Sequence, residues 1–130
     1  MGKKVLVIDD DPDVVSFVIT VLEENDYTPL VAQNGEEGLK LIRQAGPDLI
    51  LLDILMPRGS GVKLFREIKT DASLKHIPVI VLSGIAEKSF LRSQKALTGF
   101  GGAKVPEPEA YLEKPVEPEE LAAMIKKIIG

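Results

Sequence analysis

Val5-Leu6-Val7-Ile8-Asp9-Asp10-Asp11-Pro12 is the stretch on which the fold of this chain turns. A run of aliphatic residues without alternation reads as a strand buried on both faces, the mark of a parallel sheet. Three carboxylates end it at once. Asp11 has a local use, because Asp followed by Pro places an N-cap and a proline at the first helical position. One cap is enough for one helix. Asp9 and Asp10 are therefore left over at the carboxyl end of a buried strand, the edge where open α/β sheets gather their ligand sites.

The same alternation continues outward from this stretch. The helix after Pro12 carries Val14, Val15, Val18, Val21 and Leu22 as an apolar stripe. A second strand is expected over 27–31. Asn34 and Glu37 then have the spacing of a capping box, opening a helix to about Gln44 with Leu39 and Ile42 inward. Gly46-Pro47 stops that helix, and Leu49–Leu52 forms the central strand. A helix over 61–70 buries Leu64, Phe65 and Ile68, and His76 lies in the connection to a strand over 79–82. Residues 88–97 form a fourth helix. Residues 98–109 hold Gly99, Gly101, Gly102, Pro106 and Pro108, a density of breakers that predicts a loop. Ala110–Glu113 is a short last strand. Pro118 opens a final amphipathic helix with Leu121, Met124, Ile125 and Ile128 facing the sheet. Strands alternating with helices through short connections specify an α/β, doubly wound parallel sheet.

Bulk properties exclude several classes. At 130 residues the chain is expected to form one domain, residues 1–130. A net charge of −4 argues against direct nucleic-acid binding, which needs a basic face. There is no cysteine, so disulfides are excluded. The apolar run after Lys3-Lys4 is too short for a signal or membrane segment. A soluble, cytoplasmic protein without membrane insertion is expected.

Four strand ends carry polar groups: Asp9 and Asp10, then Asp53, Ser83, and Lys114 with Pro115 after the last strand. In a parallel sheet these converge on one crevice. Three carboxylates with one lysine are the donor set for a divalent cation beside a phosphoryl group. Taken singly, each has an ordinary reading as a cap, a solvated strand-end acid, a turn hydroxyl or a surface lysine. His76 has no metal-ligand companions. Gly99-Phe100-Gly101-Gly102-Ala103-Lys104 lacks both the Walker spacing and a preceding strand, so it is not a phosphate loop.

Over essentially its whole length the chain resembles the receiver domain of two-component response regulators. The matching residues are Asp9-Asp10 after the first strand, Asp53-Ile54-Leu55-Met56-Pro57 followed by Gly61, then Ser83, and Tyr111-Leu112-Glu113-Lys114-Pro115. The resemblance implies a five-stranded sheet of flavodoxin-like order 2-1-3-4-5 with five helices. It implies Asp53 as phosphoacceptor, with Mg²⁺ held by Asp10, Asp53 and the Leu55 backbone carbonyl, and by Asp9 mainly through water. Lys114 and Ser83 would bind the phosphoryl oxygens, Ser83 and Tyr111 would form a switch, and the Lys114-Pro115 bond would be cis. The donor would be a sensor histidine kinase or a histidine phosphotransferase. A downstream protein would be read through the face near residues 88–130. The expected form is a stand-alone member with no output domain, a monomer, with dimerisation on phosphorylation left open.

The chain departs from the family in places. Thirty-one positions separate Ser83 from Lys114, a longer interval than the family shows, with the excess placed in residues 98–109. Pro108-Glu109-Ala110 replaces the small-residue approach to Tyr111. Leu55 and Ile85 cannot hydrogen-bond an attacking water, which predicts slow self-dephosphorylation. Two other readings compete with this one. A phosphorylation-independent interaction module of receiver fold draws support from the remodelled approach to Tyr111. An aspartyl-phosphate hydrolase needs a general acid near the nucleophile, and Leu55 stands where one would be required.

Overall fold

A computed structural model describes residues 2–99 and 105–130 of the chain. Five strands, β1 (Lys4–Ile8), β2 (Thr28–Ala32), β3 (Leu49–Leu52), β4 (Val79–Ser83) and β5 (Ala110–Glu113), form one sheet of order β2-β1-β3-β4-β5. Every pairing is parallel. Between the strands run α1 (Pro12–Glu24), α2 (Gly35–Ala45), α3 (Ser60–Thr70) and α4 (Glu87–Gly99), and α5 (Pro118–Ile129) closes the chain. This is the expected doubly wound, flavodoxin-like fold.

The start signals work as read. Asp11 caps α1 by accepting from the Asp13 amide, and Asn34 caps α2 by accepting from the Glu37 amide. Gly46 ends α2 in the left-handed conformation, φ 57°, which a side chain would oppose. Three expectations need adjusting. The second strand is shifted by one residue, because its pairing with β1 runs from Thr28 to Ala32. The stripe of α1 uses Val14, Phe17, Val18, Val21 and Leu22; Val15 belongs to neither core cluster. Thr98 and Gly99 close α4 instead of opening the loop, since a helix's last turn tolerates glycine. The remainder of the expected insert falls partly on residues 100–104, outside the described residues.

The sheet divides the core in two. Leu6, Ile8, Leu52, Phe65, Ile68 and Phe90 pack on the side of α2, α3 and α4. Val5, Val7, Leu22, Leu51, Leu121 and Ile125 pack on the side of α1 and α5. Phe65 meets Phe90 edge-on, ring centroids 5.3 Å apart, and both are essentially fully buried. Each such ring contributes roughly 2–3 kcal/mol by leaving water. Among the described residues, no helix is long and apolar enough to cross a membrane.

Candidate functional site

The polar residues at the strand ends are held by the sheet itself. Each stays tied to a neighbouring strand by one more backbone hydrogen bond: Asp9 N–H to the Ala32 carbonyl, Asp53 N–H to that of Ile8, and Lys114 N–H to that of Ser83. Their Cα positions are therefore set by the ladder and not by loop wandering. Beyond that point each side chain fixes its own turn. The Asp9 Oδ1 accepts from the Asp11 amide at 2.9 Å, the Asp53 Oδ1 from the Leu55 amide at 2.9 Å, and the Ser83 Oγ from the Ile85 amide at 3.3 Å. In all three the partner is two residues on, the geometry of Asx and ST turns.

With one carboxylate oxygen engaged, the other is free to turn into the crevice. Asp9 Oδ2 lies 2.9 Å from the Lys114 Nζ, and Asp53 Oδ2 lies 3.5 Å from it. Asp9 and Asp53 are buried, at 2% and 6% exposure, whereas Asp10 faces solvent. One oxygen from each of Asp9, Asp10 and Asp53 lies within 4.8 Å of the others. The structure thus brings together Asp9, Asp10, Asp53 and Lys114, with Ser83 fully buried beside them. The Lys114-Pro115 peptide is cis, as the resemblance implied.

The electrostatics follow from crowding. Burial pushes the Asp53 carboxyl above its usual range and the Asp9 charge adds to this; the Leu55 amide, Lys114 and the Ser83 hydroxyl oppose them. For Lys114, burial favours the neutral amine, but the bond to Asp9 and the two carboxylate charges outweigh it, and its pKa is raised. Three carboxylates face one ammonium, leaving a surplus of negative charge. Hard oxygen donors so arranged suit a divalent cation such as Mg²⁺, which takes one or two carboxylates and keeps several waters.

The approach to Asp53 is shaped by Gly61. A Cβ there would stand 2.4 Å from the Asp53 carbonyl oxygen, so only glycine lets α3 start against the residue 53–54 backbone. Leu55 is 60% exposed at the mouth. Ile85 is half-buried and packs against the α3/α4 core. Tyr111 is half-buried; its ring lies against Phe90 at 5.6 Å and its hydroxyl donates to the Ile85 carbonyl at 2.6 Å. Burial, with the nearby Glu113 charge, pushes its hydroxyl up to about 12. His76 is exposed.

Two polar features were missed by sequence reasoning. Lys69 on α3 is buried at 4% exposure and pairs with Glu109 at 2.5 Å. The Glu113 carboxylate accepts from the Glu87 amide at 3.0 Å. Neither has a local signal, because the partners lie 40 and 26 positions apart.

Comparison with known proteins agrees with this architecture. The chain is 31% identical over 129 residues to the phosphate regulon transcriptional regulatory protein PhoB of Escherichia coli strain K12, covering 99% of this chain and 52% of PhoB. It therefore spans about half the length of that relative. It is 32% identical to the polar-differentiation response regulator DivK of Brucella anthropi, over 100% of this chain and 98% of DivK. Among solved structures, the signal receiver domain of a signal transduction histidine kinase from Syntrophus aciditrophicus superposes with a TM-score of 0.82 at 27% identity, covering 98% of this chain and 90% of that one. The response regulator receiver domain family matches residues 5–126, and the chain belongs to that family.

Proposed function

We propose that this protein is a phosphoacceptor switch of a two-component or phosphorelay system, taking a phosphoryl group onto Asp53 from a sensor histidine kinase or a histidine phosphotransferase. The observation that carries the reading is the crevice itself: one oxygen of Asp53 is fixed by the Leu55 amide and the other is directed toward Lys114, beside Asp9 and Asp10. The free oxygen attacks the phosphorus of a phosphohistidine. A P–O bond forms, the P–N bond breaks, and the departing imidazole keeps the electron pair and is protonated from solvent.

Phosphoryl transfer rests mainly on positioning and charge neutralisation. Asp9, Asp10, Asp53 and the Leu55 carbonyl would hold Mg²⁺, which supplies positive charge to the phosphoryl oxygens when bound. Lys114 pairs with one phosphoryl oxygen and the Ser83 hydroxyl donates to another. Tyr111 reads the position of the loop after Ser83, to which its hydroxyl is bonded. The reaction occurs once on the protein's own side chain, so the protein acts as a signalling component and not as an enzyme turning over a separate substrate. Leu55 at the mouth offers no hydrogen bond to water, which favours a slowly hydrolysed acyl phosphate.

Phosphotransfer from histidine kinases to wild type and Asp53→Asn tests the reading. Label on wild type and none on Asp53→Asn is expected; equal labelling would refute Asp53 as the acceptor. Absence of any spectral change at Asp53 and Ser83 with Mg²⁺ and beryllofluoride would favour a phosphorylation-independent interaction module.

A further inference from the structure

The edge strand β5 sorts its side chains sharply. Ala110 and Leu112 pack toward α1 and α5, and Tyr111 packs toward α3 and α4. By the two-residue period of a strand, Glu109 and Glu113 share the face of Tyr111. Each of the three ties down a different element. Glu109 receives Lys69 and the Val79 amide, Tyr111 donates to the Ile85 carbonyl, and Glu113 receives the Glu87 amide.

The last of these answers a specific need. The first amides of a helix have no partner inside it. Ala86 stands where α4 would take its cap: its carbonyl accepts from the Ser89 and Phe90 amides, but its methyl side chain can accept nothing. Glu113 fills that role from across the strand, at 3.0 Å. The loop 84–86 between Ser83 and α4 is then held by the Ser83 Oγ, the Tyr111 hydroxyl and the Glu113 carboxylate. Gly84 and Ala86 are themselves exposed and contribute no side-chain anchor.

We infer that Glu113 is a positioning residue: by capping α4 from β5, it holds the 84–86 loop, and with it the Ser83 hydroxyl, in the arrangement where Tyr111 is bonded to Ile85. The consequence for phosphoryl binding rests on the reading of Asp53 as acceptor; the structural role does not.

Glu113→Ala and Glu113→Gln separate the possibilities, because Gln keeps an acceptor oxygen at the same reach and Ala keeps none. Amide and tyrosine-ring spectra of the unliganded proteins are recorded first. In Glu113→Ala the signals of Ile85, Glu87 and Tyr111 should move while those of Asp9 and Asp53 stay; in Glu113→Gln all should return to wild-type positions. A beryllofluoride titration with Mg²⁺ follows. Half-saturation should rise about three- to fivefold in Glu113→Ala, the size expected from losing one modest hydrogen bond, and stay within about twofold in Glu113→Gln. Unmoved loop signals in Glu113→Ala, an unchanged titration, or a Gln variant as impaired as Ala would each overturn the inference. A wild type that ignores beryllofluoride would instead overturn the acceptor reading, and the unliganded spectra would still decide the role of Glu113.

Discussion

The two ends of the sheet each hold a lysine among carboxylates, and they differ in their balance of charge. At the amino end Lys69 is buried and pairs with Glu109, one charge against one among the described residues, and the same Glu109 oxygen also accepts from the Val79 amide. At the carboxyl end Lys114 is 23% exposed on its side chain and faces Asp9 and Asp53, with Asp10 close by. The first group is balanced: among the described residues its one positive charge meets one negative charge. The second is open, with more negative charge than it can neutralise. A balanced pair fixes structure, whereas an unbalanced cluster of oxygen donors suits the cation proposed above.

The strongest way to sharpen this contrast is to remove the surplus. Asp9→Asn with Asp10→Asn should weaken Mg²⁺ binding by at least about a hundredfold, since even outer partners of a metal site are worth ten- to a hundredfold each. A Mg²⁺ titration followed at the Leu55 amide measures it, and unchanged affinity would place the cation elsewhere. Breaking the balanced pair should act on stability instead. Glu109→Ala strands the Lys69 ammonium in the core and should cost about 3 kcal/mol in urea unfolding, the lower end for a buried pair because Glu109 is partly exposed. Adding Lys69→Met should recover most of that loss. Failure of the second change to compensate would mean that the Val79 contact dominates.

A smaller effect is expected at Asp53, with the opposite sign. Its carboxyl is raised above its ordinary value of 3.8, so the folded protein holds that proton more tightly than the unfolded chain. The contribution is fully present below pH 3.8 and is lost as pH rises through the folded value, so at neutral pH ionised Asp53 is a burden on the fold. Without Mg²⁺, Asp53→Asn should be more stable at pH 7 by up to about 1 kcal/mol, the scale of one such polar contact. The gain should vanish in acid, and a variant less stable at pH 7 would show that the Lys114 contact outweighs burial. Smallest is Arg58→Gly. Arg58 follows Pro57 in the turn before α3 at φ 62°, a conformation that costs a side-chain-bearing residue more than glycine. A gain of about 0.5 kcal/mol remains after the extra freedom of glycine in the unfolded chain is subtracted. A loss would mean that the arginine side chain holds the turn.

Much of the site was legible because two local signals coincide. Unbroken aliphatic runs mark buried parallel strands, and the residue ending each run must sit at the ligand-bearing edge. Asp9 and Asp53 needed only that rule, Lys114 needed the resemblance besides because its strand is short and ends on Glu113, and Asp11 and Asn34 needed only the preference of their side chains for capping. Ser83 is the last residue of β4 and not the first beyond it, which leaves it at the same edge. Helix α4 runs on to Gly99, past the point where glycine as a breaker predicts its end.

What the chain determined by itself was therefore the order of elements, their buried faces and the residue types delivered to the crevice, all of which follow from spacing along the backbone. Tertiary structure alone decided that Lys69 would meet Glu109, that Glu113 would cap α4, that Tyr111 would reach the Ile85 carbonyl and that Ile85 would pack inward. The three polar contacts join positions 26 to 40 residues apart. They depend on the register between β4 and β5 and on how helices settle against the sheet, and no periodicity within a single segment encodes either.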